Sequence, residues 1–306
     1  MERWIGVFLL NIALFVATAV SAATPTRGTL YVGSGFGQHD IYRIEYSYDG
    51  ADTLTTSPPV YVAHTSGGSY GHVVTPDRHL LVVGEGSMAS VSLSTYVVTP
   101  INPHNNGNTV ALDPSGVIAW VGWKDTALSS VPLDPPQTGT PHNVGGDDGV
   151  ATAVAFTPVN GAFYTTGGED RNGNVGTIDL TTFQTTRYVS NIEATGIAYD
   201  AFSDSILVAA FGKSHQIDPA NPGVVISSRD DSLVGESYID LKPDGLGHLL
   251  TTRWGATSGE IVLLDYSETG LIGDPSTRHV TAPINLPAIT DVAYDPVMFA
   301  DSFDPD

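Results

Sequence analysis

The chain has no cysteine, and its 306 residues include only 12 lysines and arginines against 33 aspartates and glutamates. Without cysteine there is no disulfide framework, so an exported form has to draw its stability from a large packed core. A net charge of −21 repels phosphate backbones and anionic lipid, which argues against nucleic acid or a membrane surface as partner. The acidic residues are dispersed rather than blocked, a pattern that serves solubility. Helical periodicity is almost absent: 33 glycines and 20 prolines interrupt the sequence, and short β-branched or aromatic runs alternate with turn residues.

Long apolar runs are missing too, with one exception. Trp4 to Val20 carries no charge, follows Arg3, and leads through Ser21-Ala22-Ala23 into the polar Thr24-Pro25-Thr26-Arg27. The run is short for a membrane span, and the small residues suit a signal peptidase. Residues 1–23 are therefore expected to be a secretory signal peptide cut after Ala22 or Ala23, which makes the mature protein secreted or periplasmic with no membrane attachment. No cysteine follows the run to take a lipid anchor. Glu2 and Arg3 cancel, so cleavage leaves the net charge unchanged.

What is present is a repeat. Placing Pro76, Pro114, Pro158, Ala201, Pro243 and Pro296 in one column aligns HVVTPD, TVALDPSG, AVAFTPVNG, GIAYDAFSD, YIDLKPDG and DVAYDPV, at spacings of 38, 44, 43, 42 and 53 residues. Each unit continues with a turn, a second strand such as HLLVVG or GVIAWVG, a third strand that tends to end in Asp, and a poorer fourth strand. Four antiparallel strands at a period of about 40–45 residues are the signature of a β-propeller blade. Two and four residues before the column stand Val74, Leu112, Phe156, Tyr199, Leu241 and Tyr294, and His72, Val110, Val154, Ile197, Ile239 and Val292. Between them stand Val73, Ala111, Ala155, Ala198, Asp240 and Ala293. Side chains alternate faces along a strand, so one face is large and the other small, as a wedge-shaped blade requires.

The mature N-terminus, TPTRGTLYVG, matches the turn and second strand of a unit and lacks a first strand. AITDVAYDP, residues 288–296, supplies it from the far end of the chain. The expected fold is an all-β six-bladed propeller over 24–297, closed by the C-terminal strand joining the N-terminal blade, with a tail at 298–306. Seven blades would need a further segment of about 40 residues.

Six residues before the column, at one mouth of the axial channel, stand Tyr70, Asn108, Thr152, Thr195, Ser237 and Thr290, a polar ring suited to ligand contact or to channel water. Residues that break their column draw attention. His72 sits in a Val/Ile column and Asp240 in an Ala column, and Glu236 and Asp291 lie near the same mouth. A histidine with two or three carboxylates suits a divalent cation, Ca²⁺ among them, or a general acid/base pair. Lys124, Arg171 and Arg253 fall in the loops after second strands, where they would form a local anion pocket in an otherwise acidic protein. GGSYG, residues 67–71, matches G-x-S-x-G but leads into a strand rather than a helix, so Ser69 is not read as a nucleophile.

The stretch from Gly71 to Glu85, GHVVTPDRHLLVVGE, with SMASVS after it, resembles the repeat of lactonase-like propellers, a group that includes streptogramin-lyase-like enzymes. All six units share the resemblance, and His72 matches a position that looks functional in that group. The resemblance implies the propeller fold and offers an activity. Two functions follow as expectations. One is a binding module, a monomer taking a small molecule, glycan or protein at its loop-rich face and channel. The other is a metal-assisted hydrolase or lyase of a lactone or cyclic ester. In it Glu236, Asp240 or Asp291 with Asn108 would hold the cation, and His72 would act as acid/base.

Overall fold

The structure is a computed structural model that describes residues 25–34, 39–67, 69–104, 107–123, 127–158, 161–167, 173–231, 240–253, 259–286 and 289–295. The expected leader and tail, Lys124, Arg171, Glu236 and Ser237 lie outside the described residues.

Strands from residue 26 to 295 form six sheets, antiparallel except for the short parallel pairing of Gly145–Gly146 with Gln184–Val189. The composite blade runs Ile289–Asp295, Thr26–Ser34, Asp40–Tyr48, with Leu54–Thr56 and Val60–His64 sharing its outer edge. Five further blades begin, innermost strand first, at Gly71–Val74, Thr109–Leu112, Ala153–Thr157, Ala194–Asp200 and Lys242–Pro243. We number these the second to sixth blades. Each inner strand touches its two neighbours around the ring, so the molecule is a six-bladed β-propeller. Closure is as the sequence suggests: Thr29 pairs with Asp295, Leu30 with Tyr294, Tyr31 with Ala293 and Val32 with Val292.

The alternation of large and small residues now has its contacts. Val74 of the second blade packs in one cluster with Ala293 of the composite blade, and Ile197 and Tyr199 of the fifth blade pack with Ala153 and Ala155 of the fourth. The large face of each inner strand thus meets the small face of the blade before it, and about 1.5–3 kcal/mol follows from each Val, Ile or Leu removed from water.

Polar groups bind blades together as well. Tyr48 of the composite blade donates to Asp265 Oδ2 of the sixth at 2.8 Å, and Tyr266 of the sixth donates to Asp200 Oδ2 of the fifth at 3.0 Å. Burial alone would push the Asp265 carboxyl up, but hydrogen bonds from Ser267 and Tyr48 and the nearby His248 hold it below its usual range. Such a carboxylate stabilises the fold above the pKa of the unfolded chain, and that contribution disappears as pH falls through the lower folded value. Asp265→Asn is therefore expected to flatten the fall in melting temperature below about pH 4, measured against wild type in a pH series. An unchanged acid slope would show that Asp265 is not one of the groups linking folding to protons.

One detail of register differs from the sequence alignment. In the second blade Thr75 N–H donates to His79 O at 2.8 Å, and in the third Asp113 N–H donates to Ile118 O at 3.0 Å. In the sixth blade the same bond runs from Asp244 to His248 at 3.0 Å, and Lys242 pairs with Leu250 as Val73 pairs with Leu81. The turns of the second and sixth blades span the same number of residues, so Pro243 stands level with Val74 inside the strand, does not belong in the proline column, and the inner strand is displaced by two residues. A displacement of two keeps every side chain on its own face, so alternation alone gives no sign of it. The corrected column before the turn reads Thr75, Asp113, Thr157, Asp200, Asp244 and Asp295. These are residues whose side chains cap turns, as Asp244 Oδ1 does for Leu246 N–H at 2.8 Å. Lys242, not Asp240, then occupies the column of Val73, Ala111, Ala155, Ala198 and Ala293, and Asp240 falls level with Asp291 of the adjacent blade.

Candidate functional site in the axial channel

The inner strands enclose a cavity of about 480 Å³. Most of its wall is aliphatic, from residues such as Val74, Val110, Leu112, Val154 and Ile197, while His72, Asp240, Lys242 and Asp244 make one polar sector.

That sector lies where the sixth, composite and second blades meet. Lys242 Nζ donates to Asp240 Oδ2 at 2.6 Å and to the backbone carbonyl of His72 at 3.2 Å, and stands 3.7 Å from Asp291 Oδ2. Asp291 Oδ2 also accepts the His72 backbone N–H at 2.8 Å, with His72 Nδ1 3.5 Å away. His72 is fully buried, and neither ring nitrogen has a hydrogen-bond partner among the described residues. Its ring lies against Gly33, where an added Cβ would come within 2.7 Å of His72 Cε1 and 2.3 Å of Ser69 Oγ, so any larger residue there would push the imidazole out of place.

The charges set one another's protonation. Burial pushes the Asp240 carboxyl up and Asp291 repels its charge, so its pKa is raised even with Lys242 beside it. Burial acts on Asp291 in the same direction, yet Lys242 and the His72 groups outweigh it and hold that carboxyl below its usual range. Burial disfavours the Lys242 ammonium, but the two carboxylates more than offset this and keep it protonated. Lys242 is therefore a fixed cation rather than a nucleophilic amine.

His72, Asp240 and Asp291, picked from the sequence as column-breakers, are thus brought together, around a lysine the sequence reading passed over. Its signal was available in the corrected alignment: Lys242 is the one charged residue in a column of valine and alanine. Ca²⁺ takes about six to eight oxygen ligands. Here the Asp240 carboxylate, the Asp291 carboxylate and the His72 carbonyl all face an ammonium, and no group of three His, Asp or Glu side chains arranged to hold a metal occurs among the described residues. With Lys242 in place these residues do not fit a bound divalent ion.

The other expected contacts lie elsewhere. Tyr70, Asn108, Thr152, Thr195 and Thr290 do not line the cavity. They mark a belt where threonines sew blades together: Thr109 Oγ1 donates to Thr152 O at 2.7 Å and Thr165 Oγ1 to Thr195 O at 2.9 Å. Thr195 Oγ1 donates within its own blade to Ala209 O at 3.1 Å, whereas Thr290 Oγ1 donates across to Ser69 O. Tyr70 donates to Glu85 Oε1 at 3.3 Å and its ring lies 6.4 Å from that of Trp123, an aromatic patch near the expected mouth. Arg253 forms an ion pair with Glu260 at 3.6 Å.

No protein-family model matches the sequence, and no curated protein is similar to it. Solved structures do resemble it. The calcium-binding protein regucalcin from Agrobacterium tumefaciens C58 is 13% identical with a TM-score of 0.51, the match covering 72% of this chain and 74% of that one. A luciferin-regenerating enzyme is 15% identical with a TM-score of 0.48 over 87% of this chain and 98% of its own. The WD40 β-propeller domain of Doa1 is 17% identical with a TM-score of 0.47 over 71% and 70%. At such identity the likeness is one of fold, and at that level it agrees with the resemblance to lactonase-like propellers seen in the repeats.

Proposed function

We propose that this protein is an exported propeller that binds a small molecule in its axial channel. An apolar body would rest on the inner-strand side chains, and a polar end would face His72, Asp240 and Lys242. The carrying observation is the cavity itself, about 480 Å³ and aliphatic on most sides with charged groups gathered on one. Small-molecule sites typically have about 300–1,000 Å³, apolar walls and few convergent polar groups. Export rests on the apolar leader at Trp4–Val20. Calcium binding, the property named for regucalcin, is not carried over, because Lys242 stands among the oxygens such an ion would need.

The reading is tested by thermal shift with a panel of small apolar compounds bearing hydroxyl, amide or lactone groups. Ala198 lines the cavity and is half-buried, so Ala198→Phe obstructs the channel. Compounds that raise the melting temperature of wild type are expected to lose that effect in the variant. Equal shifts in both proteins would place binding outside the channel and sink the proposal.

A second reading, hydrolysis of a lactone or cyclic ester, is favoured by one observation: a fully buried histidine whose ring nitrogens have no hydrogen-bond partner among the described residues, beside an ionised aspartate. Asp291 would orient the imidazole, and His72 would move the proton. Turnover of lactones from the same panel, abolished by His72→Ala in a protein that still folds, is the result this reading requires. Turnover that survives the substitution removes His72 from that role.

A further inference from the structure

Three oxygens from three different blades converge on Lys242 Nζ: Asp240 Oδ2 of the sixth at 2.6 Å, the His72 carbonyl of the second at 3.2 Å, and Asp291 Oδ2 of the composite blade at 3.7 Å. All three residues are largely removed from solvent, the Asp240 and Asp291 side chains being 10% and 4% exposed. Beside them His72 Nδ1, fully buried and without a hydrogen-bond partner among the described residues, lies 3.5 Å from Asp291 Oδ2. A primary ammonium and a hard divalent ion ask for the same thing, several oxygens at close range carrying negative charge. What differs is the covalent tether: Lys242 reaches this point from a position that alanine or valine occupies in the other five blades.

We propose that the channel contains a divalent-cation site which the chain fills with its own side chain. Lys242 supplies the charge that joins three blades at the axis, and removing the ammonium opens the site to Ca²⁺. The vacated stem leaves room for water to complete the coordination of an ion held by the Asp240 and Asp291 carboxylates and the His72 carbonyl. The wild-type junction is accordingly independent of metal. This inference concerns the ring's own cohesion and stands apart from any ligand bound in the channel.

The test compares full-length wild type with Lys242→Ala by thermal shift and calorimetry, titrating CaCl₂ alone. Wild type is expected to show no shift. Lys242→Ala is expected to melt lower without calcium and to recover on addition, with a dissociation constant on the order of 10⁻⁴–10⁻³ M, as for weakly preorganised protein sites. The response should vanish when Asp291→Asn is added to Lys242→Ala. Should Lys242→Ala not fold without calcium, Lys242→Ser provides the second variant, and recovery of its native circular dichroism on adding CaCl₂ supports the proposal equally. A folded Lys242→Ala or Lys242→Ser that ignores calcium overturns it. So does a wild type that responds as strongly as the variant, since the lysine would then not be filling the site.

Discussion

Ending the chain at residue 287 will destroy the cooperative unfolding of the protein. The lost segment carries the innermost strand of the composite blade, and four residues from Thr29 to Val32 lose their partners there. Ile289 and Val292 are buried in the cluster that joins this blade to Leu250, Ile261 and Leu263 of the sixth. Their burial alone contributes about 1.5–3 kcal/mol each. Asp291 and Asp295 go as well, which strands the His72 backbone N–H and leaves Arg78 without its carboxylate. Summed against a typical net stability of about 5–15 kcal/mol, such losses take most of the margin. Exposure of the Thr26–Ser34 edge also invites aggregation. A thermal melt followed by circular dichroism decides the matter, with a chain ending at Pro296 as the control that keeps the strand. If the chain ending at 287 melts within about 2 °C of that control, the strand does not close the ring in the way described.

The second large effect belongs to Lys242. Lys242→Met keeps much of the apolar stem and removes the charge, leaving Asp240 and Asp291 to face one another in a buried site. Breaking such a pair from one side typically costs about 3–5 kcal/mol, because the remaining charge has no solvent to turn to. The melting temperature is expected to fall by roughly 6–20 °C for a domain of this size. A thermodynamic cycle separates charge from packing. If electrostatics dominate, Asp240→Asn added to Lys242→Met should cost much less than the sum of the two single changes. Additive effects would show that the lysine matters for its packing, and the ionic account of the channel would fail.

The propeller was legible because a blade repeats its constraints. An alternation of large and small residues, a turn, and a strand of Val and Leu recur six times, and each recurrence checks the last. Even the split blade was readable, since TLYVG at residues 29–33 and AITDVAYDP are halves of a pattern complete elsewhere. The site was only partly readable. His72 stood out because it breaks a column and Asp291 because it is an acid near the same mouth, and the structure places them side by side. Lys242 did not, because a proline inside the strand of the sixth blade, Pro243, moved the alignment by two residues without moving any side chain to the wrong face. The chemistry of the turn after it held the missing signal. Asp244 caps it as Asp113 and Asp200 cap theirs, and aligning on the capping residue in place of the proline puts Lys242 in the alanine column. The ring from Tyr70 to Thr290 was ambiguous for another reason: threonine serves equally to contact a ligand and to bond a neighbouring backbone, and residue type does not distinguish the two.

The pairing of Thr29 with Asp295 carries a consequence in time. During synthesis Asp295 follows Thr29 by 266 residues, so the ring cannot close until the strand Ile289–Asp295 has been made. Five blades must wait with an open seam, and the closing contact joins residues 266 positions apart. Topology of this kind folds slowly and exposes unpaired edges meanwhile.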